Sequence, residues 1–224
     1  MYDLNLVRVL SHDIAKNNES IFCLNNLEGC LTNVPLNHYL FDTNKLRKYC
    51  KDVIKGMNPK AIVHYIEDED LEISIVGGYL EAENDYHILV NPNHNTCWRR
   101  FALVKELCSL YTNHYGRVKG DWQMQTVDDY LVSLESSYNQ IGAILNNDLN
   151  TNDLDSDTFA ILMATELMIP PFKRKLTNSL VDRYKKSELT LNDIAQSLSM
   201  PEQILQKHIE FGYFEGGSDY YASH

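Results

Sequence analysis

YHILVNPNHNTCWRRFALVKELCSLY, residues 86–111, decides the fold class. Its first six residues, Tyr86 to Asn91, are a β-branched and aromatic run that stops at Pro92, which is the pattern of a strand. From Arg100 the pattern changes. Phe101, Leu103, Val104, Leu107, Cys108, Leu110 and Tyr111 leave few polar positions, so this segment reads as a buried helix. The polar exceptions within it, Lys105, Glu106 and Ser109, therefore carry the information.

On the N-terminal side, AIVHYIED (61–68) and LEISIVGGYL (71–80) are two more strand-like runs, separated by the acidic turns Glu67–Asp70 and Glu81–Asp85. Connections this short place consecutive strands antiparallel, so the expectation is a small antiparallel sheet of about three strands. Gly77 and Gly78 interrupt the second run, where a bulge is a simpler explanation than a phosphate-binding loop. A helix fits Thr43 to Met57, and Leu4, Val7, Leu10 and Ile14 recur at helical spacing.

On the C-terminal side, Val127, Leu131, Leu134, Tyr138, Ile141 and Leu145 give a long amphipathic helix. The polar stretch 146–157 ends in Asp and Ser residues that cap a further apolar helix through Ile161–Ile169, stopped by Pro170 and Pro171. The whole is α+β, a small antiparallel sheet packed on helices. It divides into an N-terminal helical segment (1–60), a central domain (61–171), a helical region (172–214) and a tail (215–224) expected to be mobile.

Composition narrows the function. The 224 residues hold 20 Lys+Arg against 31 Asp+Glu, a formal charge of -11, which opposes nucleic-acid binding over the whole surface. The five cysteines are odd in number and without a C-x-x-C pair, which points to free thiols in a reducing compartment. With no secretory or membrane-spanning pattern, a cytoplasmic protein is expected.

Together, YHILVNP, WRRFALVKELCSLY, DTFAILMATELMIPP and LTLNDIAQSLSMPEQILQKHIEFGYF occur in an order that resembles the ImmA/IrrE family of zinc metallopeptidase-like proteins, over about 61–214. That resemblance implies a zincin-like fold and a helix with the pattern R-F-x-x-A-H-E-x-x-H, matched here by Arg100, Phe101, Val104, Lys105, Glu106, Leu107, Cys108 and Ser109. Histidines at i and i+4 share a helix face and converge on one zinc ion, and the glutamate between them takes a proton from metal-bound water. Here Lys105 and Ser109 stand at the histidine positions, and only the glutamate, Glu106, is kept. The family's further carboxylate ligand matches Asp157, after a longer spacing. A protonated lysine has no lone pair for zinc and a serine hydroxyl is a poor ligand, so the expectation is no metal. Lys105 would then supply, between Glu106 and Asp157, the positive charge of the missing ion. A solvated polar stripe and a working but rearranged centre remain as alternatives.

Other candidates are weaker. His64, His87, His94 and His114 match no zinc spacing, and His64 and His87 read as structural histidines in strands. Leu191, Ile194, Ala195 and Leu198, then Met200, Ile204, Leu205, His208 and Ile209, have a helix-turn-helix-like cadence. Within Thr190–His224, however, Lys207 is the one Lys or Arg, so packing or protein contact is expected rather than base readout. Lys173, Arg174, Lys175, Arg183, Lys185 and Lys186 form a basic cluster, either a solvated face or a docking surface for an acidic protein segment.

The resemblance implies a catalytically inactive metallopeptidase-like module that binds a regulatory protein, such as a transcriptional repressor of a phage or mobile element. Two alternatives stand beside it: an active metal-dependent endopeptidase with substitute ligands and zinc, and a DNA-binding regulator acting through the C-terminal helices.

Overall fold

The computed structural model describes residues 47–48, 51–52, 54–55, 58–113, 122–145, 156–169 and 174–211. The expected helix at Leu4–Ile14, the loop around Gly116 and Gly120, the prolines Pro170 and Pro171, and the tail lie outside these residues. Within Thr43–Met57 the described residues 47–48, 51–52 and 54–55 are helical.

The chain is α+β. Strands β1 (Ile62–Glu67), β2 (Ile75–Ala82) and β3 (Asp85–Val90) lead into helix α1 (Thr96–Asn113). Strand β4 (Gln123–Thr126) then precedes α2 (Val127–Leu145), α3 (Ser156–Met168), α4 (Arg174–Lys185), α5 (Leu191–Leu198) and α6 (Glu202–Glu210). None of the described helices is long and apolar enough to cross a membrane.

The sheet corrects the expected antiparallel arrangement. Among the described residues it is mixed and four-stranded, in the order β1-β3-β2-β4. β2 and β3 form the hairpin read from the sequence, joined at Glu83–Asn84, where Glu83 takes a left-handed φ of 53°. β1 pairs not with β2 but with β3, and in parallel. Residues 68–74 carry the chain past the end of β3 before it turns back. Side chains that follow β3 hold this crossing: Asn91 Nδ2 donates to the carbonyls of Glu72 and Ile75 at 3.0 and 2.7 Å, and Asn93 Nδ2 to that of Glu69 at 3.0 Å. A short connection thus gave the right strand directions but the wrong neighbours. β4 escaped notice because QMQT is short and polar; it extends the sheet by pairing antiparallel with β2. The β2–β4 register shifts between Ile75 and Gly77, the irregularity expected from the paired glycines.

α1 lies across the face that presents Tyr79, Tyr86, Ile88 and Val90, all buried. Asn95 caps it, accepting from the Trp98 amide at 3.0 Å. Gly77 sets how closely helix and sheet approach: a Cβ there would stand 2.9 Å from the Leu89 carbonyl oxygen and 3.2 Å from Ala102 Cβ. Gly77→Ala is expected to destabilise by about 1–3 kcal/mol through overpacking, read as a lower denaturant midpoint with an unchanged slope.

α3 is sandwiched between α1 and α2, and Ala160–Ala164 and Leu167–Ile169 are all buried. α2 begins with a capping arrangement in which the Asp129 amide donates to Thr126 Oγ1 at 3.1 Å and the Thr126 amide to Asp129 Oδ2 at 2.7 Å. Thr190 and Asp193 repeat it at α5. Ser199, Met200 and Pro201 join α5 to α6, and α6 packs on α2.

Candidate functional site

Because α1 is covered by the sheet on one side and by α3 on the other, residues 101–110 are all buried. That includes Lys105 and Glu106, both fully inaccessible, and Ser109. The solvated-stripe alternative is therefore overturned. Burying an ammonium and a carboxylate on one helix requires compensation nearby, and two neighbouring helices bring it.

α3 contributes Asp157 from its first turn, where a carboxylate also suits the positive end of the helix dipole. Lys105 Nζ lies 3.5 Å from Asp157 Oδ1 and 3.8 Å from Glu106 Oε1. Asp157 is half-exposed, so one end of the charge row reaches solvent while the other is sealed. Gln125 on β4 donates to Asp157 Oδ1 at 3.4 Å. The chain thus brings together Lys105, Glu106 and Asp157, across the long spacing between the two helices.

α2 contributes Tyr130, fully buried, whose hydroxyl donates to Glu106 Oε1. The Lys105 ammonium also sits over the Tyr130 ring, 5.1 Å from its centroid. Burial raises the Glu106 pKa, while the Lys105 charge and the Tyr130 hydrogen bond oppose the rise. Burial, followed by the charge of Glu106, pushes Tyr130 well above its ordinary value of 10.0, so the phenol remains a donor. Glu106 Oε2 has no hydrogen-bond partner and Lys105 Nζ makes none that is well directed, so the pair is held by charge more than by geometry.

Tyr130 was missed in the sequence, although a signal existed. It falls on the same stripe as Val127 and Leu134, and a tyrosine at a core position needs a partner for its hydroxyl. Its ring also packs on Phe101 and Trp98, which fixes its position over α1.

Chemically, an ammonium cannot ligate zinc. Among the described residues, no group of three or more His, Cys, Asp or Glu side chains is gathered to hold a metal ion. The arrangement is a buried salt-bridge centre with one solvent-facing carboxylate.

The basic cluster is described only in part. Arg183, Lys185 and Lys186 are exposed, and Arg183 Nε pairs with Glu188 at 3.2 Å. Lys173 and the side chains of Arg174 and Lys175 lie outside the described residues. In α6, Lys207 is held by Glu135 at 3.4 Å and Glu210 at 3.7 Å. His208 is fully buried, accepting from the Tyr138 hydroxyl at Nδ1 and lying 3.4 Å from Thr165 Oγ1 at Nε2.

Comparison with known proteins finds no matching family model, no matching curated protein and no matching solved structure.

Proposed function

We propose that this chain is a catalytically inactive metallopeptidase-like protein of the ImmA/IrrE type that binds a regulatory protein, a helix-turn-helix transcriptional repressor of a phage or mobile element, without cutting it. The observation that carries this reading is the Lys105 ammonium buried between Glu106 and Asp157, at the helix position where such peptidases hold an imidazole on zinc. A cation fixed there neutralises the same carboxylates as a metal would, but it cannot lower the pKa of a bound water. Glu106 is hydrogen-bonded to Tyr130 and shut off from bulk solvent. Binding alone suffices for regulation if the module prefers the DNA-free form of its partner.

Arg183, Lys185 and Lys186 are exposed, and there we place an acidic segment of that partner; in the sequence, Lys173, Arg174 and Lys175 precede them. The DNA-binding alternative gains nothing from α6, whose one lysine is engaged by two glutamates.

The test mixes the full chain with the repressor of the same replicon. The expected result is co-elution on gel filtration, a repressor of unchanged mass, and weakened repressor–operator binding. Alanine at Lys173, Arg174 and Lys175 together should loosen the complex. Repressor cleavage that a chelator or Glu106→Gln abolishes would overturn the reading.

A further inference from the structure

On the opposite face of the sheet from α1, the parallel pairing of β1 with β3 sets His64 directly across from His87. Their rings stack with centroids 4.6 Å apart and planes 13° from parallel. Asp85, two residues before His87 and on the same face, places Oδ1 3.4 Å from His64 Nε2. A carboxylate at that nitrogen fixes the Nε2–H tautomer and leaves the lone pair of His64 on Nδ1, the arrangement that accompanies most metal-ligating imidazoles. His87 Nδ1 is shielded from water and has no hydrogen-bond partner.

We infer that His64 and His87 form a two-imidazole site for a divalent transition ion, zinc or copper, with Asp85 orienting His64 and water completing the coordination. Imidazole suits both ions, and copper binds the tighter of the two. The rings stack rather than converge, so binding an ion turns both out of the stack toward it. His64 and Asp85 are each nearly half exposed, which leaves room for the turn. This site is independent of the Lys105 centre, which lies under the other face.

Trp122 supplies the readout: it is exposed and stands edge-on to His87 at 6.0 Å, whereas Trp98 is buried in the core. Titrating the full chain with copper(II) should quench tryptophan fluorescence with saturation near one equivalent. Trp122→Phe should remove most of the quench while leaving the heat of binding. His64→Gln and His87→Gln should each weaken copper and zinc binding more than about 10-fold, and Asp85→Asn about 10-fold. No saturable binding by the wild type, or variants that bind as tightly as it does, would overturn the site. Zinc retained by the His64→Gln/His87→Gln double variant would instead count against the inactive-peptidase reading, so the two failures are separable.

Discussion

Lys105→Ala lowers the stability of the folded chain by about 3–5 kcal/mol, the range for removing one partner of a buried ion pair. The loss arises because Glu106, sealed from water with the Tyr130 hydroxyl beside it, loses the ammonium that offset its burial and must either hold an uncompensated charge or take up a proton. For a chain of this length the melting temperature should fall by about 6–20 °C. Converting both members to neutral residues behaves differently. In Lys105→Met/Glu106→Gln the amide oxygen still accepts from Tyr130 and no charge is buried, so most of the loss should be recovered, giving a coupling of about 2 kcal/mol or more. A Lys105→Ala protein that melts with the wild type would mean that the ammonium compensates nothing.

The pH dependence of that variant follows from the sign of the Glu106 shift. Its pKa is raised in the folded protein, so the folded state holds this proton more firmly than the unfolded chain does. The resulting stability is fully present below the ordinary value of 4.5 and is lost as pH rises through the folded value. Lys105 opposes the rise, so its removal moves the loss to higher pH. Adding Glu106→Gln should remove this part of the dependence, leaving that of the other titrating groups.

The sequence made the centre legible to the extent that its residues share one helix. Lys105, Glu106 and Ser109 stand out because their neighbours are apolar, and burial of all three follows from a helix covered on both sides. Asp157 was reached only through a pattern match, because nothing local to Ser156–Met168 says that its first turn faces Lys105. The strands 62–67, 75–82 and 85–90 were legible from β-branched and aromatic runs, but their order was not. Local rules favour pairing of consecutive strands, whereas here Asn91 and Asn93 hold 68–74 across the sheet end and β3 slots between β1 and β2. The His64–His87 juxtaposition follows from that inserted strand, and so was hidden by the same error.

Acidification should weaken the seat of α6 through His208. Its ring is fully buried between α6, α2 and α3, and both nitrogens are committed. Thr165 Oγ1 donates to the Ile161 carbonyl at 2.9 Å, so it accepts from His208 Nε2–H, and Nδ1 accepts from Tyr138. The neutral tautomer is thereby fixed. A second proton would turn the Tyr138 hydroxyl away and bury a cation; the charged side chains nearby, Lys207, Glu210 and Glu135, are at the surface and paired with one another. Burial accordingly lowers the pKa from 6.5 to about 3. For a histidine lowered in the folded state, the unfolded chain binds the proton first, so stability is full above pH 6.5 and declines as pH falls toward 3. The slope approaches about 1.4 kcal/mol per pH unit, and the total is roughly 4–5 kcal/mol. Denaturant unfolding at pH 7, 5 and 4, compared between wild type and His208→Leu, isolates this contribution from that of the carboxylates. The wild type should lose more stability over that span than the variant by about 2–3 kcal/mol. Equal losses would mean that the ring protonates without leaving its seat, and that Tyr138 and Thr165 do not hold it in one tautomer.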